Sequence, residues 1–346
     1  PYALCGVLTG ALADAFDRRM LLAVGLAVMT AIAVTIATLT ATGHASYTLV
    51  AFAAMAGGAF WTVDMPVRRR LLVDSTGAGE IAAALGFDNS TMYATRAIGP
   101  LVGGATYQFV GISGIYALIA ASYLFCLWLT SRIGQNDAAP AEGSARISLS
   151  RLLPPPELIR NRRFQVFLGV TLVFNLWCVP FSAMVPVIAQ RDFALSPFLV
   201  GALSACEGLG GTLGAITVGM MASERTLFRF YYFGTFALPL LMLGLSLHLT
   251  AASSIGVLLA MGVAASCFSS TQYGLIYVMA PAEIRGRATG ILSIFISSAM
   301  FGHYHAGILF ERLGSATAMT VMGLEGAVAM VLLGIMWLRA TRSETT

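Results

Sequence analysis

Between Arg132 and Arg163 the chain reads RIGQNDAAPAEGSARISLSRLLPPPELIRNRR, and this stretch decides how the rest is organised. It is the one long hydrophilic run in 346 residues, with a triple proline at Pro154-Pro155-Pro156 and arginines at 132, 146, 151, 160, 162 and 163. Such composition reads as a polar linker and not as a buried helix. On both sides the sequence turns apolar. Toward the N-terminus lie Ile112–Ser131, Ile81–Phe109, Tyr47–Pro66 and Met20–Thr40, with a shorter run at Pro1–Leu12. Toward the C-terminus lie Phe164–Ala189, Pro197–Met221, Phe230–Leu249, Ser253–Ala280, Ala288–Phe310 and Ala316–Leu338. About 20 apolar residues in a helix cross a bilayer, so the pattern predicts eleven spans, the first partial. The spans set out an N-terminal helical bundle over 1–131, a linker over 132–163, a C-terminal bundle over 164–340 and a short tail over 341–346.

Composition supports the same class. Hydrophobic residues make up 58%, charged residues only 10%, and mean hydropathy is +0.81. A soluble domain carries about a quarter charged residues, so a soluble enzyme, a disordered chain and a secreted disulfide scaffold are excluded. All 20 basic residues are arginine. Without lysine there is no GxxxxGK[ST] phosphate loop, no Schiff-base lysine and no SxxK pair. The five cysteines (Cys5, Cys126, Cys178, Cys206 and Cys267) are dispersed through apolar runs and read as small hydrophobes. A net charge of +4 is too small to suggest nucleic acid. No cofactor or metal is expected.

The placement of the arginines says more than their sum. In alternating loops, 17 of the 20 fall on one side: Arg18 and Arg19, Arg68 to Arg70, the six of the central linker, Arg225 and Arg229, Arg285 and Arg287, and Arg339 and Arg342. Arg191 and Arg312 fall on the other side, and Arg96 lies inside a span. The positive-inside rule then predicts a cytoplasmic linker and C-terminus in a multi-pass plasma membrane protein, a bacterial inner membrane being expected. Residue 1 would lie outside, which predicts a further span upstream and a total of six plus six. The halves also echo each other: Gly10 and Gly214, Gly86 and Gly290, and Gly111 and Gly314 are offset by 204, 204 and 203 residues. Duplicated halves around a midplane cavity are a transporter signature.

Two motifs carry a resemblance. Gly10-Ala11-Leu12-Ala13-Asp14-Ala15-Phe16-Asp17-Arg18-Arg19 resembles the G-x-L-x-D-R-x-G-R-R loop of the major facilitator superfamily, with Ala15 and Asp17 departing from it. Gly86, Thr95, Gly99, Pro100, Gly103 and Gly104 resemble the g-x8-G-x3-G-P-x2-G-G motif of that superfamily's exporters, with Thr95 in place of a glycine. The stretch from Met65-Pro66-Val67-Arg68 through Asp74 to Gly104 looks most like the branch that includes enterobactin exporters. The resemblance implies an all-α fold of two pseudo-symmetric six-helix bundles. It implies a cytoplasmic latch at Gly10, Asp14, Arg18 and Arg19, with Asp64 as an acidic partner, and an antiporter motif at Gly86, Gly99, Pro100, Gly103 and Gly104.

Ionisable groups inside hydrocarbon are costly and become functional candidates. Asp88, Asn89 and Arg96 share one span, and Glu207 sits ten residues into another. Arg96 is a candidate either to meet an anionic substrate or to pair with a carboxylate. Glu207 and Asp88 are the candidate proton-coupling carboxylates. Glu325, on a helix that is peripheral in the resembled family, ranks lower. His303 is a candidate proton relay, and His305, two residues on, points to nearly the opposite face. Asn175, Trp177, Gln272, Tyr273 and Tyr277 fall on spans that line the cavity in that family.

The expected function is secondary active export of a small drug-like or siderophore-like molecule. It would be driven by a proton gradient through alternating access, in a monomer whose partners are its substrate and the lipid bilayer. A proton-coupled importer or facilitator of the same fold is the alternative. Gly111-Ile112-Ser113-Gly114 matches the GxSG pattern of intramembrane serine proteases, and a receptor without transport is a further alternative. A tight turn explains the glycines around Ser113 without catalysis, and a transport assay distinguishes the receptor.

Overall fold

A computed structural model describes residues 17–74, 76, 81–132, 156–247, 250–281 and 284–342. Every regular element among them is a helix. In chain order these are α1 (Arg18–Ala41), α2 (Tyr47–Asp74), α3 (Ile81–Arg132), α4 (Pro156–Arg160) and α5 (Arg162–Val173). A π-helical turn at Phe174–Cys178 leads to α6 (Val179–Arg191), α7 (Pro197–Met221), α8 (Leu227–Leu245), α9 (Ala251–Met279), α10 (Arg285–Ser297), α11 (Ala299–Leu313) and α12 (Ser315–Arg342). Only helices keep every backbone N–H and C=O paired within one segment in lipid. Nine helical stretches of the described residues are long and apolar enough to cross a membrane, and one of them, Ser90–Arg132, is 43 residues long.

That length has a local explanation. At about 1.5 Å per residue, the 52 residues of α3 would extend about 78 Å as a straight rod, far more than a bilayer. The run breaks at Gly111, whose φ of 78° and ψ of −170° lie outside the helical region. Gly314, between α11 and α12, has φ 76° and ψ 168°. Only glycine takes this conformation without strain. The pair therefore makes the same bend at equivalent points of the two repeats, and two spans meet at each.

The described residues fall into two compact units. One holds the residues up to Met92 and those from Ala105 to the end of α3; the other holds Tyr93–Gly104 and the chain from α4 onward. In the first unit, Leu22, Leu26 and Val67 are buried against Phe60, Tyr123 and Leu127. Asp17, a departure from the resembled loop, is the N-cap of α1: its carboxylate accepts from Arg19 N at 3.0 Å. Arg19 Nη2 donates to Ser131 O at 2.6 Å, placing a cation on the last carbonyls of α3, where a helix end is electronegative.

The second unit is built on aromatic rings toward its arginine-rich end and on aliphatic and Met side chains toward the other. Phe167, Tyr231, Phe268 and Phe174 stack in series, with centroid distances of 5.3, 4.9 and 3.6 Å. The fully buried Tyr231 hydroxyl lies 2.6 Å from Thr171 Oγ1 and donates to Phe167 O at 3.1 Å, so its polar atom is satisfied within the core. Beyond the stack come Phe181, Met242, Met261 and Met322, all buried. Large apolar side chains such as Met220, Phe301, Tyr304 and Leu332 are more than half exposed, which suits a lipid-facing surface.

Candidate functional site

The site is positioned by α7, PFLVGALSACEGLGGTLGAITVGMM, which starts on Pro197 after the N-cap Ser196. Its glycines serve two neighbours. Gly210 and Gly214 face α9, where an added Cβ would run into Leu259 and Val263; Gly262 of α9 in turn sits against the carbonyl of Glu207. Gly201 and Gly208, seven residues apart, face the Tyr93–Gly104 segment: a Cβ on Gly201 would meet the carbonyl of Pro100, and one on Gly208 the carbonyl of Arg96. Gly104 meets the carbonyl of Pro197 from the other side. Small residues let helix backbones touch in this way.

Glu207 lies between these two contact rows. Ten residues beyond Pro197 in a helix rising about 1.5 Å each, it stands about 15 Å from the start of α7, near the middle of a bilayer core. Its Oε1 accepts a hydrogen bond from Ser182 Oγ of α6 at 2.6 Å. Both line a cavity of about 460 Å3 together with Arg96, Pro100, Phe174, Cys178, Ser204, Met261 and Ser269. That volume suits a small organic ligand. Mostly apolar walls carry one carboxylate, one guanidinium and several hydroxyls. Arg96 lies within electrostatic reach of Glu207 and holds a positive charge at any physiological pH. A carboxylate there can be ionised beside the arginine or protonated. An ionised carboxylate can accept from a hydroxyl or N–H, and a guanidinium can pair with an anionic group.

The π-helical turn shapes this wall. Its sequence is Phe174-Asn175-Leu176-Trp177-Cys178, followed by Pro180, which cannot donate a backbone N–H. π-Turns inside helices recur at functional sites. Phe174 and Cys178 reach the cavity. Asn175 turns back instead: its Nδ2 donates to Thr171 O at 2.9 Å.

Other candidates separate into distinct places. Asp88, buried in the first unit, is held by two arginines of α2: Oδ1 is 3.0 Å from Arg68 Nη1 and Oδ2 is 3.1 Å from Arg69 Nε. Asp64 is 3.8 Å from Arg68 Nε. Losing one partner of a buried pair is costly, less so when the cations are partly exposed. Asp88→Asn is therefore expected to destabilise the protein by about 2–3 kcal/mol, and Asp64→Asn by less than about 1 kcal/mol, read as thermal unfolding in detergent.

In the second unit, Gln272 is buried behind the aromatic stack, beside Tyr231, while Tyr273 and Tyr277 are exposed on α9. Arg285 stacks over Tyr277 at 4.8 Å and donates to the carbonyls of Tyr277 and Ala280, closing the end of α9. His303 Nδ1 bonds to Ala299 O at 2.7 Å on its own helix. His305 instead reaches Glu325 Oε2 at 2.9 Å, and Trp177 Nε1 donates to the same oxygen at 2.6 Å. Gly10 and Asp14 lie outside the described residues, as do the side chains of Arg18 and Asn89. Of the antiporter-motif residues, Pro100 and Gly104 abut α7, whereas Gly99 and Gly103 have open space around them.

Sequence reasoning missed Ser182 and Ser204 as cavity residues. It also missed the meeting of Trp177, His305 and Glu325, which joins three helices far apart in sequence. A hydroxyl in an apolar helix is usually satisfied by its own backbone, so Ser182 carries no local signal of its partner. The proline pair Pro180 and Pro186 around it is the visible hint of irregular backbone.

Comparison with known proteins places this architecture. The family model described as Major Facilitator Superfamily matches residues 1–302. This chain belongs to the major facilitator superfamily. The staphyloferrin A transporter of Staphylococcus aureus (strain NCTC 8325 / PS 47) is 21% identical over 253 residues, covering 72% of this chain and 62% of that protein. The chain thus spans less than two thirds of that relative's length. A crystal structure of a D-xylose–proton symporter superposes with a TM-score of 0.71 over 96% of this chain and 84% of the other, at 13% identity, a likeness of fold. As a member of this superfamily, with long apolar helices, the chain is a multi-pass membrane protein. Ser113 of the GxSG sequence lies two residues after the bend residue Gly111.

Proposed function

We propose that this transporter exports a small organic molecule of siderophore type in exchange for protons, as a monomer in a bacterial inner membrane with its arginine-rich ends in the cytoplasm. The observation that carries the reading is the cavity in which Glu207, bonded to Ser182 at 2.6 Å, shares a wall with Arg96. When Glu207 is ionised, its carboxylate accepts from a hydroxyl or N–H of the substrate while Arg96 holds an anionic group of the same molecule. When Glu207 takes up a proton, the charge that strengthens that bond is lost and release is favoured. Protonation and substrate occupancy then oppose each other, which is what antiport needs: each ligand stabilises a different state. The relative's printed name, a staphyloferrin A transporter, supports a siderophore-like substrate, and the Gly-Pro motif at Gly99-Pro100 supports export by resemblance. Asp88, clamped by Arg68 and Arg69, is the weaker coupling candidate, and Asn89, His303, Asn175, Gln272 and Tyr273 are secondary candidates.

The test uses inside-out vesicles and two probes, staphyloferrin A and the cationic dye ethidium. With an acid lumen, staphyloferrin A is expected to accumulate, and to stop accumulating when the pH gradient is collapsed. Accumulation that ignores the gradient removes proton antiport. Accumulation only in right-side-out vesicles with an acid exterior selects proton-coupled import. Preference for ethidium removes the role given to Arg96.

A further inference from the structure

A second cavity, of about 560 Å3, opens at the arginine-rich end of the second unit. It shares no lining residue with the Glu207 cavity. The starts of α5 and α8 and the ends of α9 and α12 enclose it: Arg163 comes from α5, Arg225 from the turn before α8, Arg229 from the first turn of α8, Val278 from α9 and Trp337 from α12. Three guanidiniums face one carboxylate, Glu224, so the cavity is net positive. The side chains of Arg225 and Arg229 are exposed and form no hydrogen bond or ion pair among the described residues. The acceptor of Asn161 is already used, since its Oδ1 caps α5 by accepting from Arg163 N and Phe164 N at 2.9 and 3.2 Å.

The rest of the lining is apolar. Phe228 and Trp337 meet at 4.8 Å between centroids, Leu275 forms a buried floor, and Val278 is 50% exposed at the edge. Arginines over aromatic and aliphatic carbon at the end of a membrane helix bundle match one chemistry, a phosphate ester carried on a hydrocarbon body. Guanidinium groups bind phosphate oxygens with directed hydrogen bonds. Tryptophan settles at headgroup depth, and basic pockets between helix ends suit anionic headgroups. A free phosphate would use the arginines and leave the apolar floor uncovered.

We propose that this cavity binds the headgroup of an anionic phospholipid, with Arg225 and Arg229 on the phosphate and Phe228, Val278 and Trp337 against the glycerol and first acyl carbons. Bound there, the lipid ties together the ends of four helices of the second unit and offsets the mutual repulsion of the arginines.

The test takes the full chain, delipidated in dodecyl maltoside, and reads lipid retention by native mass spectrometry and thermal unfolding with added phosphatidylglycerol, phosphatidylcholine or inorganic phosphate. Phosphatidylglycerol is expected to be retained and to raise the unfolding temperature, with phosphatidylcholine and inorganic phosphate much weaker. The double variant Arg225→Gln/Arg229→Gln is expected to lose about tenfold or more in phosphatidylglycerol retention, since a single charge-assisted hydrogen bond carries about that factor. Arg191→Gln, at the opposite end, is expected to retain it as the wild type does. Should the double variant fold poorly, Arg225→Gln alone, in an exposed turn, gives the same reading at smaller size. Equal retention by wild type and variant, or equal binding of phosphatidylcholine, overturns the site. Stabilisation by inorganic phosphate equal to that by the lipid overturns the lipid assignment. None of these readouts involves transport, so failure here is separate from failure of the exporter reading.

Discussion

Glu207→Gln is expected to leave the protein folded and able to bind its substrate while disconnecting transport from the proton gradient. The amide keeps the shape of the carboxyl group and an oxygen that can accept from Ser182 Oγ, now at 2.6 Å. The change in stability is therefore expected to stay within about 1 kcal/mol, the net size of a neutral hydrogen bond. What the amide cannot do is gain and lose a proton. One proton exchanged per substrate gives about tenfold accumulation for each pH unit of gradient. The variant is expected to fall to about onefold, with exchange of labelled substrate across the membrane preserved. Its exchange rate should also lose the pH dependence of the wild type, because the group whose protonation favours release no longer titrates. A variant that keeps its gradient-driven accumulation removes Glu207 from coupling and returns attention to the carboxylates outside this cavity. Asp88 would then be tested in the same way, but with a fold control, because its two arginine partners make its loss structural as well.

The fold was legible because the bilayer enforces a length and an outer chemistry on every span. Apolar runs of the right length, the polar break at Arg132–Arg163 and the paired glycines Gly111 and Gly314 were enough, and the two glycines take nearly the same backbone conformation. Glu207 and Arg96 could be singled out for a similar reason: a charge within an apolar run is conspicuous. Which charges meet was not legible. Asp88 and Arg96 lie on one helix, eight residues apart, yet one joins the arginines of α2 and the other faces α7. Partner choice depends on which neighbour approaches each face, and a single strand of sequence does not encode that locally. The histidines show the same limit. Their spacing separates them onto different faces without saying that His305 would find Glu325 and His303 its own backbone. Asp17 reads as a defect in the resembled loop, but as a residue with a short acceptor side chain it is well suited to cap α1.

The antiporter motif allows a sharper separation than its spelling suggests. If its glycines act as a set, alanine at any of them should have a similar effect. The geometry divides them. At Gly104 a methyl group would press on the carbonyl of Pro197 and the backbone of Gly201, and at Gly201 and Gly208 on the carbonyls of Pro100 and Arg96. These neighbours are backbone atoms, which cannot swing aside as a side chain can, so the helices must move apart. Overpacking of this kind costs about 1–3 kcal/mol. Gly104→Ala, Gly201→Ala and Gly208→Ala are each expected to lose stability in that range. Gly208→Ala should also lose most transport, because shifting the Arg96 backbone displaces one wall of the Glu207 cavity. At Gly99 and Gly103 nothing lies within 4 Å of an added Cβ. There alanine gains its helix propensity, about 1 kcal/mol over glycine, so Gly99→Ala and Gly103→Ala are expected to be neutral or stabilising. Unfolding temperatures of the five variants, measured side by side in one detergent, decide the matter. Equal destabilisation across all five would mean that the contact between α7 and Tyr93–Gly104 does not set the cost. A loss of transport at Gly99 or Gly103 without loss of stability would assign those two positions to a step of the transport cycle and not to the packing that holds Glu207 in place.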